Sequence, residues 1–165
     1  MALREHLATL AHYSTLANER LYGVCAALPD EARKRPYAVS FGSIHGTLNH
    51  LLLADRIWLA RLSGEGVPAL LLDTILYEDF TELQGARVEE DGRLEAFITG
   101  VDESFLDSNL IYTNSRGVPF TDPVSLILAH LFNHQTHHRG QLHVMLRQAG
   151  VPTLNLDMHR LVKPS

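Results

Sequence analysis

Cysteine is nearly missing from this chain. Cys25 is the single example in 165 residues, which excludes an internal disulfide and any cysteine-built zinc framework. Its apolar neighbourhood marks it for packing rather than thiol chemistry. Basic charge is also short: 14 Lys and Arg against 19 Asp and Glu leave a formal charge of −5. Such a chain offers no basic surface for phosphates, so nucleic acid is not an expected partner. No stretch reaches the roughly 18 apolar residues of a membrane span, and "MALREHLATLAHYS" has no signal-peptide core. A cytoplasmic protein with no membrane partner is the expectation. Repeats, low-complexity tracts and linkers are absent as well, and the length suits one domain, residues 1–165.

What is present is mostly helical periodicity. Leu3, Leu7, Leu10, Ser14, Ala17, Leu21, Val24 and Leu28 recur in steps of four and three, the seam of a bundle helix that Pro29-Asp30 ends. "PDEARKRPYAVSFG" reads as a connection with room for one helical turn. A second helix opens at Ser43, a good N-cap, and runs through Leu48, Leu52 and Trp58 to Leu62. "SGEGVP" at 63–68 stops it, and residues 69–78 are assigned to a loop packed on the bundle. A third helix is predicted over Thr81–Phe105, with Leu83, Leu94, Phe97, Ile98, Val101 and Phe105 inward. Gly85, Gly92 and Gly100 weaken it by roughly 1 kcal/mol each. A short hairpin turning at Asn114–Gly117 follows. Asp122 as N-cap and Pro123 at the first helical position then open a fourth helix that Gly150 and Pro152 terminate. The fold class is all-α, a four-helix bundle with a small hairpin before the last helix.

Histidine is the anomaly. Four of the ten fall in "LFNHQTHHRGQLHVML", residues 131–146, with His130 just before. The fourth helix's seam reads Val124, Ile127, Leu131, His134, His138, Gln141, Met145, placing two imidazoles where leucine would be expected. His134 and His138, four residues apart, project about 40° from each other and can share one metal ion. One histidine on an apolar face is usually a hydrogen-bonded core residue. Two on a buried seam each leave a nitrogen that needs a partner. A zinc enzyme normally uses three protein ligands, so a third must come from another helix. On the second helix His45 and His50 lie about 140° apart, and His50 is the one that can face the bundle. "HQTHH" lacks the glutamate of zinc metalloproteases, and no Glu-x-x-His stands on the helices to build a di-iron bundle. An all-imidazole site suits zinc, nickel, copper or ferrous iron.

"SFGSIHGTLNHLLLADRIWLARL" and "LAHLFNHQTHHRGQLHVMLRQAG" resemble the two signature helices of the DinB/YfiT-like superfamily, and "YSTLANERLYGVCAAL" is similar to its first helix. The resemblance covers nearly the whole chain. It implies an up-down-down-up four-helix bundle, usually a homodimer, with a divalent metal on three histidines. Matched by motif these are His50, His134 and His138. Characterised relatives include transferases and isomerases that use low-molecular-weight thiols such as mycothiol or bacillithiol, the metal lowering the thiol's pKa. The expectation is therefore one divalent ion, zinc or nickel first and iron or copper next. It would serve a metal-dependent transferase or hydrolase acting on a small molecule, with a thiol as a candidate substrate. The alternative is a non-catalytic dimeric module in which the three-histidine site is structural or metal-sensing.

Other residues carry two readings each. Gln141 and Arg139 could orient ligands, though a carboxylate-paired, helix-holding role suits Arg139 better. Gly140 reads as a point of close helix approach, and Asp55 as a cap for a histidine or an arginine. Trp58 and Phe132 read as core. His137 reads as a hydrogen-bonded helix contact before a proton shuttle, and His130 lies one turn from His134 on the same face.

Overall fold

The structure is a computed structural model that describes residues 2–67, 69–114 and 116–163. Pro68, part of the helix stop, and Ser115, part of the hairpin turn, lie outside the described residues. In chain order come α1 (Leu3–Ala26), α2 (Asp30–Lys34), α3 (Ile44–Ser63), α4 (Phe80–Gly100), α5 (Glu103–Leu106), β1 (Asn109–Thr113), β2 (Pro119–Pro123), α6 (Val124–Gln148) and α7 (Met158–Leu161). The chain is mostly helical, with one two-stranded antiparallel hairpin. None of the helices among these residues is long and apolar enough to cross a membrane.

Helices α1, α3, α4 and α6 pack against one another, α1 and α3 each touching both α4 and α6. Their buried residues sort into three levels. One apolar level holds Leu7 and Ala11 of α1, Leu59 and Leu62 of α3, Leu94 and Ile98 of α4, and Val124 to Phe132 of α6. Another holds Leu21, Tyr22 and Cys25, then Ile44 to Leu52, Phe80 to Ala86, and Leu142 to Leu146. Chain order through these levels sets direction: α1 and α6 run one way, α3 and α4 the other. Between the levels lies a buried polar layer with members from all four helices: Ser14, Asn18, Asp55, Arg87, Glu90, Asp91, Gln135 and Arg139.

That layer is held by specific pairings. The Asp55 carboxylate accepts from Arg87 Nη1 at 2.7 Å and from Gln135 Nε2 at 3.0 Å. Arg87 Nη2 lies 2.9 Å from Asp91 Oδ1, and Asn18 donates to the Asp91 carboxylate at 2.9 Å. Ser14 Oγ donates to Gln135 Oε1 at 2.6 Å. Burial still pushes the Asp91 carboxyl up to about 6, against the pull of Arg87 and Asn18. Charges this deep persist only because they are paired and hydrogen-bonded.

Several sequence expectations are corrected. The long third helix breaks at Val101, which is extended (φ −77°, ψ 146°). Asp102 then caps a separate α5, its carboxylate accepting from Phe105 N at 2.8 Å. A local side-chain acceptor there competes with continued helix. The middle of α4 buries Arg87, Glu90 and Asp91, not only the expected apolar positions. Asp122 does not cap α6. It pairs in the hairpin opposite Leu110 and accepts from Tyr112 Oη, so Val124 begins the helix and its N–H bonds Ser108 O at 3.0 Å. The buried line of α6 passes through Gln135 and Arg139, with His134 at its edge, because Gln135 is drawn to Asp55. Gly140 is exposed and a Cβ there meets nothing within 4 Å, so it marks no close approach. The loop at 69–78 is tied down at its carbonyls and at Leu76–Tyr77, but Leu71 and Leu72 are 76% and 50% exposed.

Candidate metal centre

Two turns of chemistry start α3. Ser43 Oγ accepts from Gly46 N at 2.9 Å, the N-cap that the sequence indicated. Gly46 is required by crowding: a Cβ there would lie 2.1 Å from the Phe41 carbonyl oxygen. This close approach brings the Phe41 ring onto α3, where it stacks on the His50 imidazole at 3.5 Å between centroids and 13° between planes. The same ring meets His138 edge-on at 5.5 Å. Phe41 thus roofs the site, a role its sequence context did not signal.

His50 of α3 meets His134 and His138 of α6, with ring centroids 5.2 and 4.7 Å away, and the two α6 rings are 4.4 Å apart. One ring nitrogen from each lies within 4.8 Å of the other two. His50 Nε2 and His134 Nε2 are 3.2 Å apart. Two nitrogens held at about 2.05 Å from one tetrahedral zinc stand about 3.3 Å apart. Two of the three remote nitrogens are already committed. His50 Nδ1–H donates to the Leu72 carbonyl at 2.8 Å, and His138 Nδ1–H donates to Gln141 Oε1 at 2.8 Å. Each bond fixes the tautomer that leaves Nε2 as a bare lone pair, the arrangement a metal-ligating histidine needs. The Gln141 amide is oriented in turn by donating to His137 Nε2 at 3.2 Å.

Electrostatics favour neutral imidazoles here. Burial lowers His134 to about 3, with the neighbouring His138 and His50 adding to the effect. Burial also lowers His50, partly opposed by the Leu72 carbonyl, and His138, partly opposed by Gln141. All three are therefore unprotonated at neutral pH, as metal ligation requires. His134 is only half-buried, so the centre reaches solvent on that side. Among the described residues no fourth histidine, cysteine or carboxylate joins the group. The donor set fits one divalent ion with a free position.

The remaining sequence candidates separate cleanly. His45 is buried away from the trio, its Nε2 donating to Tyr77 O at 2.9 Å. His130 is exposed and lies against Trp58, 5.7 Å between rings and 5.9 Å from His134. His137 is exposed and bonded within its own helix. Arg139 is structural but pairs with no carboxylate among the described residues: it covers the Tyr13 ring at 5.2 Å and reaches Ser14 Oγ at 3.4 Å. Asp55 serves an arginine, Arg87, and not a histidine. Phe132 is core, whereas Trp58 is half-buried between His130 and Tyr112. The tether through Leu72 could not be found from sequence, because any residue supplies a carbonyl.

A sequence model of the DinB family matches residues 3–164. Protein DinB of Bacillus subtilis (strain 168) is 30% identical over 152 residues, spanning 90% of this chain and 88% of that protein. The crystal structure of a DinB-like protein from Bacillus cereus ATCC 10987 superposes with a TM-score of 0.62. It is 23% identical and covers 86% of this chain and 91% of that one, which shows a shared fold.

Proposed function

The chain belongs to the DinB family, and from that premise we propose that His50, His134 and His138 hold one divalent metal ion in a metal-dependent enzyme. Zinc or nickel suits three imidazoles first, iron or copper next. The helices form the family's up-down-down-up four-helix bundle as one domain, working as a homodimer in the cytoplasm. The substrate is a small molecule, with a low-molecular-weight thiol as the leading class. A bound divalent ion supplies Lewis acidity, holding a thiol or water in its ionised, nucleophilic form near neutral pH.

The observation that carries this reading is the 3.2 Å approach of the His50 and His134 Nε2 atoms, in a trio of which His50 and His138 are locked from behind. Leu72 and Gln141 keep His50 and His138 in the ligating tautomer, and Phe41 shields one face of the site from water. The half-buried side at His134 leaves a route for substrate.

Metal analysis of protein purified without a histidine tag tests it, followed by a panel of thiols with small electrophiles. About one divalent ion per chain is expected, lost in His50→Ala, with turnover for at least one thiol. Metal retained in His50→Ala would overturn the ligand assignment. A fully loaded protein inert to the whole panel would favour the non-catalytic module instead. Light scattering showing a monomer at micromolar concentration would remove the dimer.

A further inference from the structure

The polar layer meets the metal centre at one point. Gln135 directly follows His134 and precedes His138 by three residues, while Asp55 follows His50 by five. The Asp55–Gln135 bond therefore lies five residues past His50 along α3 and between His134 and His138 along α6. We propose that Gln135, held by Ser14 and bonded to Asp55, is the positioning residue that sets the α3–α6 register at which the three imidazoles converge. The proposal rests on the metal reading given above, and it concerns how the site is built.

The apolar levels cannot set this register alone. Leu48, Leu51, Leu52, Leu142 and Leu146 present similar shapes at successive turns, so leucine packing discriminates weakly between neighbouring alignments. A one-residue slide moves a helix about 1.5 Å along its axis. Metal–nitrogen distances tolerate only about 0.2 Å. A directional bond between buried groups does discriminate, since misalignment leaves the buried Gln135 amide unsatisfied and Asp55 short of one donor. Gln135 is built for this. Its Oε1 takes the Ser14 hydroxyl at 2.6 Å, so its Nε2 must face Asp55, where it donates at 3.0 Å. Arg87 Nη1 fixes the same Asp55 oxygen from α4 at 2.7 Å. Gln135 is 1% exposed and touches no ligating nitrogen, so it acts only through the helices it joins.

The test is Gln135→Met, which keeps volume and removes the amide, with Ser14→Ala as the milder variant that merely frees the amide to turn. Ile98→Val, a core truncation in the far apolar level, is the control for lost stability. Cobalt(II) titration reads affinity and, through its visible absorption, ligand geometry. Gln135→Met is expected to bind cobalt at least tenfold more weakly with an altered band, Ser14→Ala to shift the same way by less, and Ile98→Val to keep both despite a lower Tm. Wild-type affinity and spectrum in Gln135→Met, or in Ser14→Ala should Gln135→Met not fold, would overturn the proposal. So would an Ile98→Val loss of affinity matching that of Gln135→Met. If the wild-type protein takes up no metal, the metal reading fails by itself. Ring-to-ring NOEs between His50 and His134 in the metal-free protein then decide: they must weaken in the Gln135 variant, and unchanged NOEs would overturn the positioning role.

Discussion

Protons compete with metal for imidazole nitrogens, so proton release on zinc binding reads the state of the site directly. Three ordinary histidines with a pKa near 6.5 would carry about 2.3 protons at pH 6.0, all displaced by zinc. In this centre burial lowers His134 to about 3, so it carries about 0.001 proton at that pH. His50 and His138 are lowered in the same direction, so each carries less than the roughly 0.76 of an ordinary histidine. The expected release is therefore below about 1.5 protons per zinc. Ionisation of a zinc-held water with a pKa near 7 adds only about 0.1 at pH 6.0. Calorimetry in buffers of different ionisation enthalpy measures the number. The sign also fixes a stability trend. Unfolded imidazoles protonate near 6.5 while the folded ones stay neutral to lower pH, so the unfolded state binds more protons as pH falls. The trio alone should cost metal-free protein stability as pH falls between about 6.5 and 3, the lower end being set by His134, with the raised Asp91 carboxyl opposing it below about 6. Release of two or more protons per zinc at pH 6.0 would show that the rings are solvated and that the burial argument is wrong.

Two further outcomes separate the metal from the scaffold. His138→Ala should stay folded but take up no metal, because one imidazole costs a few of a typical domain's roughly 5–15 kcal/mol and Leu131, Leu142 and Met145 remain packed nearby; collapse of its circular dichroism would make the metal a folding element. Arg87→Met should lose about 3–5 kcal/mol in urea unfolding, since it strands the Asp55 and Asp91 carboxylates without their cation, and a loss under 1 kcal/mol would show that water enters the layer.

Some ends of the long helices were legible in the sequence where local chemistry decides them, although the Asp102 cap that parts α5 from α4 was not. Ser43 caps α3 because its hydroxyl needs only the next turn's N–H, and Gly150, at φ 87°, ends α6 because it alone takes that backbone cheaply. The meeting of the three imidazoles was legible for a similar reason. The i, i+4 spacing of His134 and His138 is a property of one helix, and helical phase chose His50 over His45. Local signals misled where a more distant partner competed: Asp122 has the chemistry of a cap, but Tyr112 and the hairpin ladder hold it instead.

What sequence could not decide is everything set by which helices meet. Arg87, Asp91 and Gln135 look like surface residues one at a time, and Asp55 could be read as a cap but not assigned to Arg87, since nothing local predicts a partner 32 or 80 positions away. Only tertiary packing stacks them into one buried layer, turns α6 so that Gln135 rather than His134 lies deepest, and brings the Leu72 carbonyl behind His50. Periodicity reports which face of a helix is buried on average. The identity of the buried polar partner is fixed by helix register, and register exists only once four helices are packed.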